Sequence, residues 1–382
     1  MIFKKLSFKR KKSGGRSDHI FLIAVLALVL MGTVAVYTAG SHFASVRYGD
    51  KLYFIKRQIL WVTIGIVAMY IGSQIKMPLL KLSAKPLYLA TVILLILTLI
   101  IGFTGNGAKR WISLGPITIQ PSEIAKLAIP LILAYYFDKH QAKATESRSG
   151  RESLVYGTLL PSVIMIIPIV LVMLQKHLSC IIILGVIGVL VIVLSGARLR
   201  YMAGVCGAGL AGVSYIALFT DYTKERITVW RNPEAFKLTG GWQTLQGLMA
   251  IGSGGLFGKG FGNGELKQCY VSEPANDMIF AIICEELGFI GAGIVMLSFV
   301  ILITRGFYIA NRSGGYFERL LALGIMTQVS VQTILNVAVV TNTIPNTGIS
   351  LPFFSYGGSS LIMLMFEMGI IISISRHANI NK

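Results

Sequence analysis

Ten long apolar runs, separated by polar segments, constrain this chain more than any other feature of its sequence. An α-helix needs about 20 predominantly apolar residues to cross the hydrocarbon core of a bilayer. Because runs of about this length recur along the whole chain, we predict an all-α polytopic membrane protein with about ten transmembrane helices. The predicted spans are residues 20–38, 52–72, 86–103, 122–137, 154–174, 177–194, 201–219, 278–303, 320–340 and 360–375.

The overall composition agrees with a membrane protein. Of the 382 residues, 54% are hydrophobic and 13% are charged, whereas a soluble domain carries about 25% charged residues. The formal net charge of +19 would indicate a nucleic-acid partner in a soluble protein, but a membrane protein is expected to concentrate Lys and Arg in its inner loops. The four cysteines and five histidines show no metal-ligand spacing, so we predict neither a metal site nor a disulfide.

The distribution of Lys and Arg predicts the orientation. Residues 1–18 are strongly basic and are predicted to form a cytoplasmic tail, followed by a single transmembrane domain at 19–376 and a cytoplasmic tail at 377–382. The first apolar run is too long for a signal peptide. The predicted inner segments carry more Lys and Arg than the outer ones, which places both termini in the cytoplasm. The short turn at 174–177 is critical, because merging the two spans beside it would invert everything that follows.

Three predicted outer loops are rich in polar and aromatic residues, at 104–121, 220–277 and 341–359. The large extracytoplasmic loop 220–277 precedes the eighth span. Loops of this length are usually functional or disordered, and its tryptophans favour an ordered, functional loop. We find no internal repeat of the kind that marks inverted-repeat transporters.

Asp277 stands where this long polar loop meets the eighth apolar run, and Glu285 and Glu286 lie inside that run. Carboxylates within a membrane are costly and are usually functional. Burial at the boundary would make Asp277 a usable proton acceptor; the alternative is a helix N-cap, for which Asp is favoured. One of the two glutamates is expected to pair with a cation such as Lys126.

A glycine-rich segment at 252–264 contains Lys259 and resembles a Walker A sequence only superficially, since Ser253 and Gly260 break that pattern. Two interpretations remain open. The segment either forms tight turns packed against the helices, or it directs backbone N–H groups at a lipid pyrophosphate.

Further charged residues lie at or within the predicted spans. Glu123 and Lys126 share a helix face and form either a structural ion pair or a group that orients substrate. Lys109, Arg110 and Trp111 are either interface anchors, or Arg110 binds phosphate, since its guanidinium fork suits phosphate oxygens. Glu367 lies deep in the last span, without a partner that the sequence identifies.

Four segments resemble the SEDS family (shape, elongation, division and sporulation), whose members include FtsW, RodA and SpoVE. They are GAKRWISLGPITIQPSEIAK at 107–126, QGLMAIGSGGLFGKGFGNG at 246–264, EPANDMIFAIICEELG at 273–288 and PNTGISLPFFSYGGSS at 345–360. The resemblance extends over essentially the whole chain after the basic tail, and the glycine-rich and NDMIFAIICEELG forms resemble FtsW and SpoVE more than RodA. The chain departs from the common pattern at Asn276, where many members carry threonine, and at Asn342, Asn346 and Ser350.

This resemblance implies a peptidoglycan glycosyltransferase that polymerises lipid II at the outer face of the bacterial cytoplasmic membrane, during cell division or sporulation. It implies a class B penicillin-binding protein as transpeptidase partner, with divisome proteins at the septum. The family's essential aspartate corresponds to Asp277, its arginine and tryptophan to Arg110 and Trp111, and its membrane ion pair to Glu123 and Lys126. We add Lys259, Glu273 and Glu285 as expected substrate contacts. The sequence identifies no cofactor; besides the protein's own cations, a divalent cation, Mg²⁺ or Mn²⁺, is the alternative source of positive charge for the pyrophosphate.

Other functions remain open on the sequence alone. A lipid II flippase would use the intramembrane charges as a polar path, and a scaffold would only recruit other division proteins. Within the family, the alternative is an elongation polymerase of the RodA type. A flippase would move lipid II without forming glycan, and a scaffold would do neither.

Overall fold

The computed structural model describes residues 17–105, 108–115, 117–146, 150–219, 221–267 and 274–378. Helices occupy all ten predicted spans. The α-helices are α1 (His19–Tyr48), α2 (Tyr53–Gln74), α3 (Met77–Ile101), α4 (Pro121–Gln141), α5 (Gly150–Leu154), α6 (Leu160–Leu174), α7 (Leu178–Leu194), α8 (Leu199–Phe219), α9 (Asp221–Arg231), α10 (Trp242–Gly254), α11 (Ile279–Arg312), α12 (Tyr316–Val340) and α13 (Gly358–Ser375). A π-helical turn joins α5 to α6, so that the two run on as one helix.

Seven of the helices in the described part of the chain are long and apolar enough to cross a membrane. They are α1, α2, α3, the continuous α5–α6 helix, α11, α12 and α13. Of the other predicted spans, α7 has 17 residues and α4 carries several charged side chains. The predicted polytopic all-α class is therefore confirmed, and the chain is an integral membrane protein. The turn at 174–177 separates two helices, as predicted.

The two ends of the helix bundle can be told apart by their contacts. At one end, which we call the terminal end, the Asp18 backbone N–H donates to Ser375 Oγ at 3.2 Å, and Arg305 Nη2 lies 2.8 Å from Asp18 Oδ2. The start of α1, the end of α13 and the second half of α11 therefore meet there. Since α11 starts two residues after Asp277 and runs toward Arg305, Asp277 lies at the opposite end, which we call the site end.

A small antiparallel sheet at the site end was not predicted. Strands β1 (Phe103–Gly105), β2 (Ala108–Leu114) and β3 (Ile117–Ile119) pair in the order β1-β2-β3, with Trp111 opposite Phe103. The β-branched and aromatic residues of this segment favour strands, and Gly115 turns the chain with φ +70°. The loop predicted at 104–121 is therefore largely a β-meander that leads into α4.

The long loop is ordered, as predicted, where the structure describes it. It contains α9, a 3₁₀ turn (Pro233–Phe236) and α10. Helix α10 packs along the first half of α11, and Gly254 at its end lies against the Cys284 carbonyl. We call residues 242–267 the re-entrant segment, since the chain enters the bundle at the site end and turns back beside Glu285 and Glu286.

Two glycines make this close packing feasible. Helix α11 is kinked at Gly288 (φ +65°), and Gly258 (φ +78°) lies directly against it. A Cβ at Gly288 would be 2.3 Å from the Gly258 nitrogen. At the kink, the Lys259 N–H donates to the Glu285 carbonyl and the Phe289 N–H donates to the Gly255 carbonyl, each at 2.9 Å. Only glycine accepts both the positive φ and the contact.

Candidate functional site

A cavity of about 400 Å³ opens at the site end of the bundle. Its walls are formed by the β-meander, the starts of α4, α7 and α11, and the loop that follows α12. Five residues that the sequence nominated line it together: Arg110, Trp111, Glu123, Lys126 and Asp277. Four of these residues lie within positions 110–126, whereas Asp277 lies far along the chain, so the packing of the helices brings it to the other four.

The backbone before α11 is fixed by three consecutive carbonyl contacts. The Tyr356 N–H donates to the Ala275 carbonyl at 2.8 Å, and Ser355 Oγ donates to the Asn276 carbonyl at 2.7 Å. Asn336 Nδ2 donates to the Asp277 carbonyl at 2.9 Å. Because two other elements hold these carbonyls, Asp277 cannot move without breaking several hydrogen bonds.

The Asp277 side chain is half-buried and faces the cavity. Gln243 Nε2, from α10, donates to both carboxylate oxygens, at 3.2 and 3.3 Å. Asn346 Nδ2 donates to Gln243 Oε1 at 3.3 Å, which fixes the orientation of that amide. The alternative that the sequence left open placed Asp277 at the N-cap of this helix; in the structure α11 begins at Ile279 and the N-cap position is Met278, which makes no side-chain hydrogen bond.

Glu123 and Lys126 form an ion pair in the wall of the cavity. Lys126 Nζ lies 2.7 Å from Glu123 Oε1, and both side chains are almost fully buried. Gln332 Oε1 accepts from the same ammonium at 3.3 Å, and Ser360 Oγ donates to Glu123 Oε2 at 2.9 Å. Buried charges need such partners to offset their loss of hydration.

Two arginines add positive charge to the cavity. Arg110 reaches it from β2 and donates through Nη2 to the Lys176 carbonyl. Arg226 reaches it from α9 and donates to the Asn346 carbonyl. Trp111, half-buried beside Arg110, gives the cavity an apolar wall. Guanidinium groups bind phosphate oxygens well, so the cavity suits an anionic group with an apolar portion.

Lys259 and Glu285 do not reach this cavity. Lys259 Nζ lies 3.1 Å from Glu285 Oε1 and 3.4 Å from Glu265 Oε2, and Glu285 also accepts the Glu265 and Leu266 backbone N–H groups. Glu285 is fully buried. The expectation that these two residues bind substrate therefore lacks support in the geometry, because they are engaged with each other. Glu273 lies outside the described residues.

The expectation that one of the membrane glutamates pairs with a cation is met, although the cation is not Lys126, the example that the sequence suggested. Lys126 pairs with Glu123, whereas Glu286 pairs with Lys267, Nζ to Oε1, at 2.5 Å. The backbone N–H groups of Gly258, Lys259 and Gly260 all donate to carbonyls of the protein. The glycine-rich segment thus packs as a tight turn, and the alternative in which it cradles a pyrophosphate is not supported.

Sequence reasoning missed several residues that shape the site. Arg226 and Gln243 lie in the long loop and belong to no recognisable motif. Gln332 and Asn336 are polar residues within an apolar helix, and such residues usually face the interior of a bundle, so that signal was available.

Glu367, for which the sequence identified no partner, is fully buried, and Gln328 Nε2 donates to it at 2.9 Å. In the described residues, no group of three or more His, Cys, Asp or Glu could hold a metal ion.

Comparison with known proteins matches this architecture to one family. The family model of the FtsW/RodA/SpoVE cell cycle proteins matches residues 18–380. Stage V sporulation protein E of Bacillus subtilis is 35% identical over 366 residues, which cover 94% of this chain and 97% of that protein. A probable peptidoglycan glycosyltransferase FtsW of Trichlorobacter lovleyi is 37% identical over 361 residues, covering 94% and 93%.

Solved structures agree with this result. A chain of a peptidoglycan synthase complex, reported for its coordination of polymerization and crosslinking, superposes with a TM-score of 0.78 at 26% identity. The superposition covers 96% of this chain and 99% of that one. The sequence motifs, the helical membrane architecture and these matches lead to one conclusion: the chain belongs to the FtsW/RodA/SpoVE family of cell cycle proteins, the SEDS family that its motifs resemble.

Proposed function

We propose that this protein is a peptidoglycan glycosyltransferase that polymerises lipid II into glycan strands during cell division or sporulation. The observation that carries the proposal is the cavity in which Asp277 faces Arg110, Arg226 and the Glu123–Lys126 pair. A sugar transfer from a lipid pyrophosphate needs a proton acceptor and positive charge near the leaving group. This cavity offers both.

The chemistry assigns Asp277 the role of general base. The 4-hydroxyl of the acceptor GlcNAc loses its proton to the Asp277 carboxylate as its oxygen attacks the anomeric carbon of the growing chain. The bond between that carbon and the undecaprenyl pyrophosphate breaks, so the pyrophosphate leaves with the bonding electrons and the anomeric centre inverts. Hydrogen bonds from Gln243 keep the carboxylate in place for this step.

Negative charge develops on the departing pyrophosphate, and cations close to it lower the barrier. We assign this role to Arg110, Arg226 and Lys126, which line the same cavity. Trp111 would pack against the apolar or sugar portion of the substrate. When bound, a divalent cation would supply further positive charge to the pyrophosphate, and Asp277 and Glu123 are carboxylates of this cavity that could hold it.

The orientation follows from the two ends of the bundle. Helix α1 starts at the terminal end and helix α13 finishes there. The basic residues 1–18 favour a cytoplasmic location for that end. The site end then faces outward, where lipid-linked precursors are polymerised. We further propose that a class B penicillin-binding protein crosslinks the product, with divisome proteins at the septum; the structural similarity to a peptidoglycan synthase complex supports such a partner.

A flippase fits the described charges less well. Such a transporter would need polar groups connected across the membrane. Instead, Glu285 and Glu286 pair with lysines of the re-entrant segment, and Glu367 is hydrogen-bonded to Gln328. Within the described residues, neither Glu285 nor Glu286 lines the cavity. Glu367 lies below the Glu123–Lys126 pair, close enough to interact with it electrostatically. The charged groups that open into the cavity are therefore at the site end and do not extend across the bundle.

The test is polymerisation of labelled lipid II by the purified full-length chain, with and without its penicillin-binding partner. Asp277→Ala and Asp277→Asn should form no glycan ladder while keeping wild-type thermal stability and partner binding. Glu234→Ala is the matched control, because Glu234 is an exposed carboxylate of the same long loop. Ladders from Asp277→Asn at the wild-type rate would remove Asp277 as the base. Transfer of lipid II across liposomes by a wild-type chain that forms no ladder would favour the flippase.

A further inference from the structure

A second cavity, of about 240 Å³, adjoins the first at the site end. It lies between the end of α1, the start of α2 and the segment that enters α11. Phe43, Arg47, Tyr48 and Phe54 line its outer part. Asn276 and Tyr356 line both cavities, so the two share a wall that includes the residue before Asp277.

The chemistry of this second cavity is aromatic and cationic. The rings of Phe54 and Tyr356 meet edge to face with centroids 4.9 Å apart, and Tyr48 stacks on Tyr53 at 4.0 Å. The Arg47 guanidinium lies 5.6 Å from the Phe43 ring centroid. The C–H faces of a pyranose ring stack on aromatic rings of this kind, and a guanidinium binds phosphate oxygens in pairs.

Arg47 is placed to bind a mobile ligand. Its side chain is exposed at the rim, and none of the described carboxylates forms an ion pair with it. By contrast, Lys56 in the same region is neutralised by Asp50 at 2.8 Å. Gly40 also lines the cavity and lets the Phe54 ring pack against α1, since a Cβ there would lie 2.9 Å from that ring.

We propose that this second cavity is the acceptor subsite, which holds the GlcNAc end and the pyrophosphate of the incoming lipid-linked disaccharide, with Arg47 on the pyrophosphate and the Phe43, Phe54 and Tyr356 rings against the sugar. The proposal rests on the proposed function, since glycan formation requires two lipid-linked saccharides at once. It places the acceptor and the donor on opposite sides of Asn276–Asp277.

The charge distribution decides which substrate occupies which cavity. The donor's pyrophosphate gains negative charge as its bond to the sugar breaks, so it needs the several cations of the first cavity. The acceptor's pyrophosphate keeps its charge through the reaction, and one arginine at an exposed rim is sufficient to hold it. An acceptor hydroxyl that extends along the shared wall at Asn276 then reaches the neighbouring Asp277.

Two substrate analogues allow the donor subsite and the acceptor subsite to be measured separately. A labelled lipid II with a blocked GlcNAc 4-hydroxyl can act only as donor. The second analogue is a lipid-linked disaccharide in which a phosphonate carbon replaces the anomeric oxygen. Its sugar cannot be released from the lipid pyrophosphate, so it acts only as acceptor. Together they form a single tetrasaccharide product, and the KM of each can be measured with the full-length chain and its partner.

For Arg47→Ala we expect the acceptor KM to rise about 10- to 100-fold, as for a lost charge-assisted contact to phosphate, with the donor KM within about twofold of wild type. The acceptor KM of Arg47→Lys should lie between those of the wild type and Arg47→Ala, because lysine keeps the positive charge and loses the planar guanidinium fork. Lys51→Ala is the matched control, a cation of the same turn that does not line the cavity, and should change neither KM. Arg110→Ala should raise the donor KM instead.

Equilibrium binding of the phosphonate acceptor gives a readout that does not need turnover. In the Asp277→Ala background, adding Arg47→Ala should weaken binding about 10-fold or more, whereas adding Lys51→Ala should not. Equal affinity of the Arg47 and Lys51 variants, or a rise in the donor KM alone for Arg47→Ala, would overturn the assignment. Absence of tetrasaccharide from the wild type with this binding pattern intact would refute the proposed function and leave the saccharide subsite standing.

Discussion

The buried ion pair between Lys267 and Glu286 is a direct test of how the re-entrant segment is held. Lys267 Nζ lies 2.5 Å from Glu286 Oε1, and the two side chains are 5% and 3% exposed. The same ammonium donates to the Gly262 carbonyl at 2.7 Å. The change Lys267→Met removes the cation and leaves the Glu286 carboxylate buried among apolar side chains.

Breaking one half of a buried pair typically costs about 3–5 kcal/mol, because the remaining charge is neither hydrated nor compensated. We therefore expect Lys267→Met to lower the free energy of unfolding by about this amount. The double variant Lys267→Met/Glu286→Met should be less destabilised than the single one, since it leaves no buried charge. The free energy of unfolding, measured by reversible denaturation in mixed micelles, compares the variants.

The matched control is Lys56→Met, which breaks an ion pair whose side chains are 64% and 40% exposed. Surface pairs of this kind contribute little to stability. Equal stability of Lys267→Met and Lys56→Met would refute the reasoning that a buried pair fixes the segment. The same pair of variants also separates structure from substrate binding: we expect the polymerisation rate per folded molecule to be nearly unchanged in Lys267→Met.

Three further predictions concern the residues that position the site. Gln243→Ala should lower the polymerisation rate about 10- to 100-fold without changing the thermal melting temperature, because it removes two hydrogen bonds to the carboxylate of Asp277. Asn336→Ala should lower the free energy of unfolding by about 1–3 kcal/mol and also lower the rate, because the Asp277 and Ile349 carbonyls lose their donor. Gly288→Ala should lower the melting temperature in detergent, whereas Gly293→Ala should not, since no atom lies within 4 Å of a Cβ at Gly293.

Each of these has an outcome that contradicts it. A wild-type rate for Gln243→Ala would mean that the carboxylate needs no orientation by α10. For Asn336→Ala, a reduced rate at unchanged stability would place the amide in contact with substrate instead of backbone. If Gly288→Ala and Gly293→Ala have the same melting temperature, the kink in α11 tolerates a side chain and the contact with Gly258 is not close in solution.

Local sequence patterns predicted most of the helices and failed at their ends. Apolar runs mark where a chain can lie in a bilayer, so the spans were found in order. Helix boundaries depend on caps and packing, and thus α3 begins at Met77, although residue 86 was predicted. The β-meander was missed because its strands are short, from 3 to 7 residues, and because β2 packs against α3 and α4, which the local sequence pattern does not show.

The sequence correctly showed which charged side chains are unusual, but it could not identify their partners. Charged residues in apolar runs are costly, which singled out Lys126, Glu285 and Glu286. Helical periodicity relates residues only within one helix, so it recognised the i, i+3 pair with Glu123. It could not show that a distant lysine, Lys267, returns beside Glu286, because that depends on the path of the re-entrant segment.

The sequence by itself determined that this is a polytopic helical membrane protein of the SEDS family, because hydrophobicity and extended motifs are local properties of the chain. It also determined which end of α11 carries the boundary aspartate. Only the tertiary structure decided that Gln243 and Asn336 hold Asp277, that Arg226 joins Arg110, and that a second aromatic cavity adjoins the first. These arrangements depend on contacts between residues separated by tens to hundreds of positions, and such contacts are fixed by the packing of whole helices.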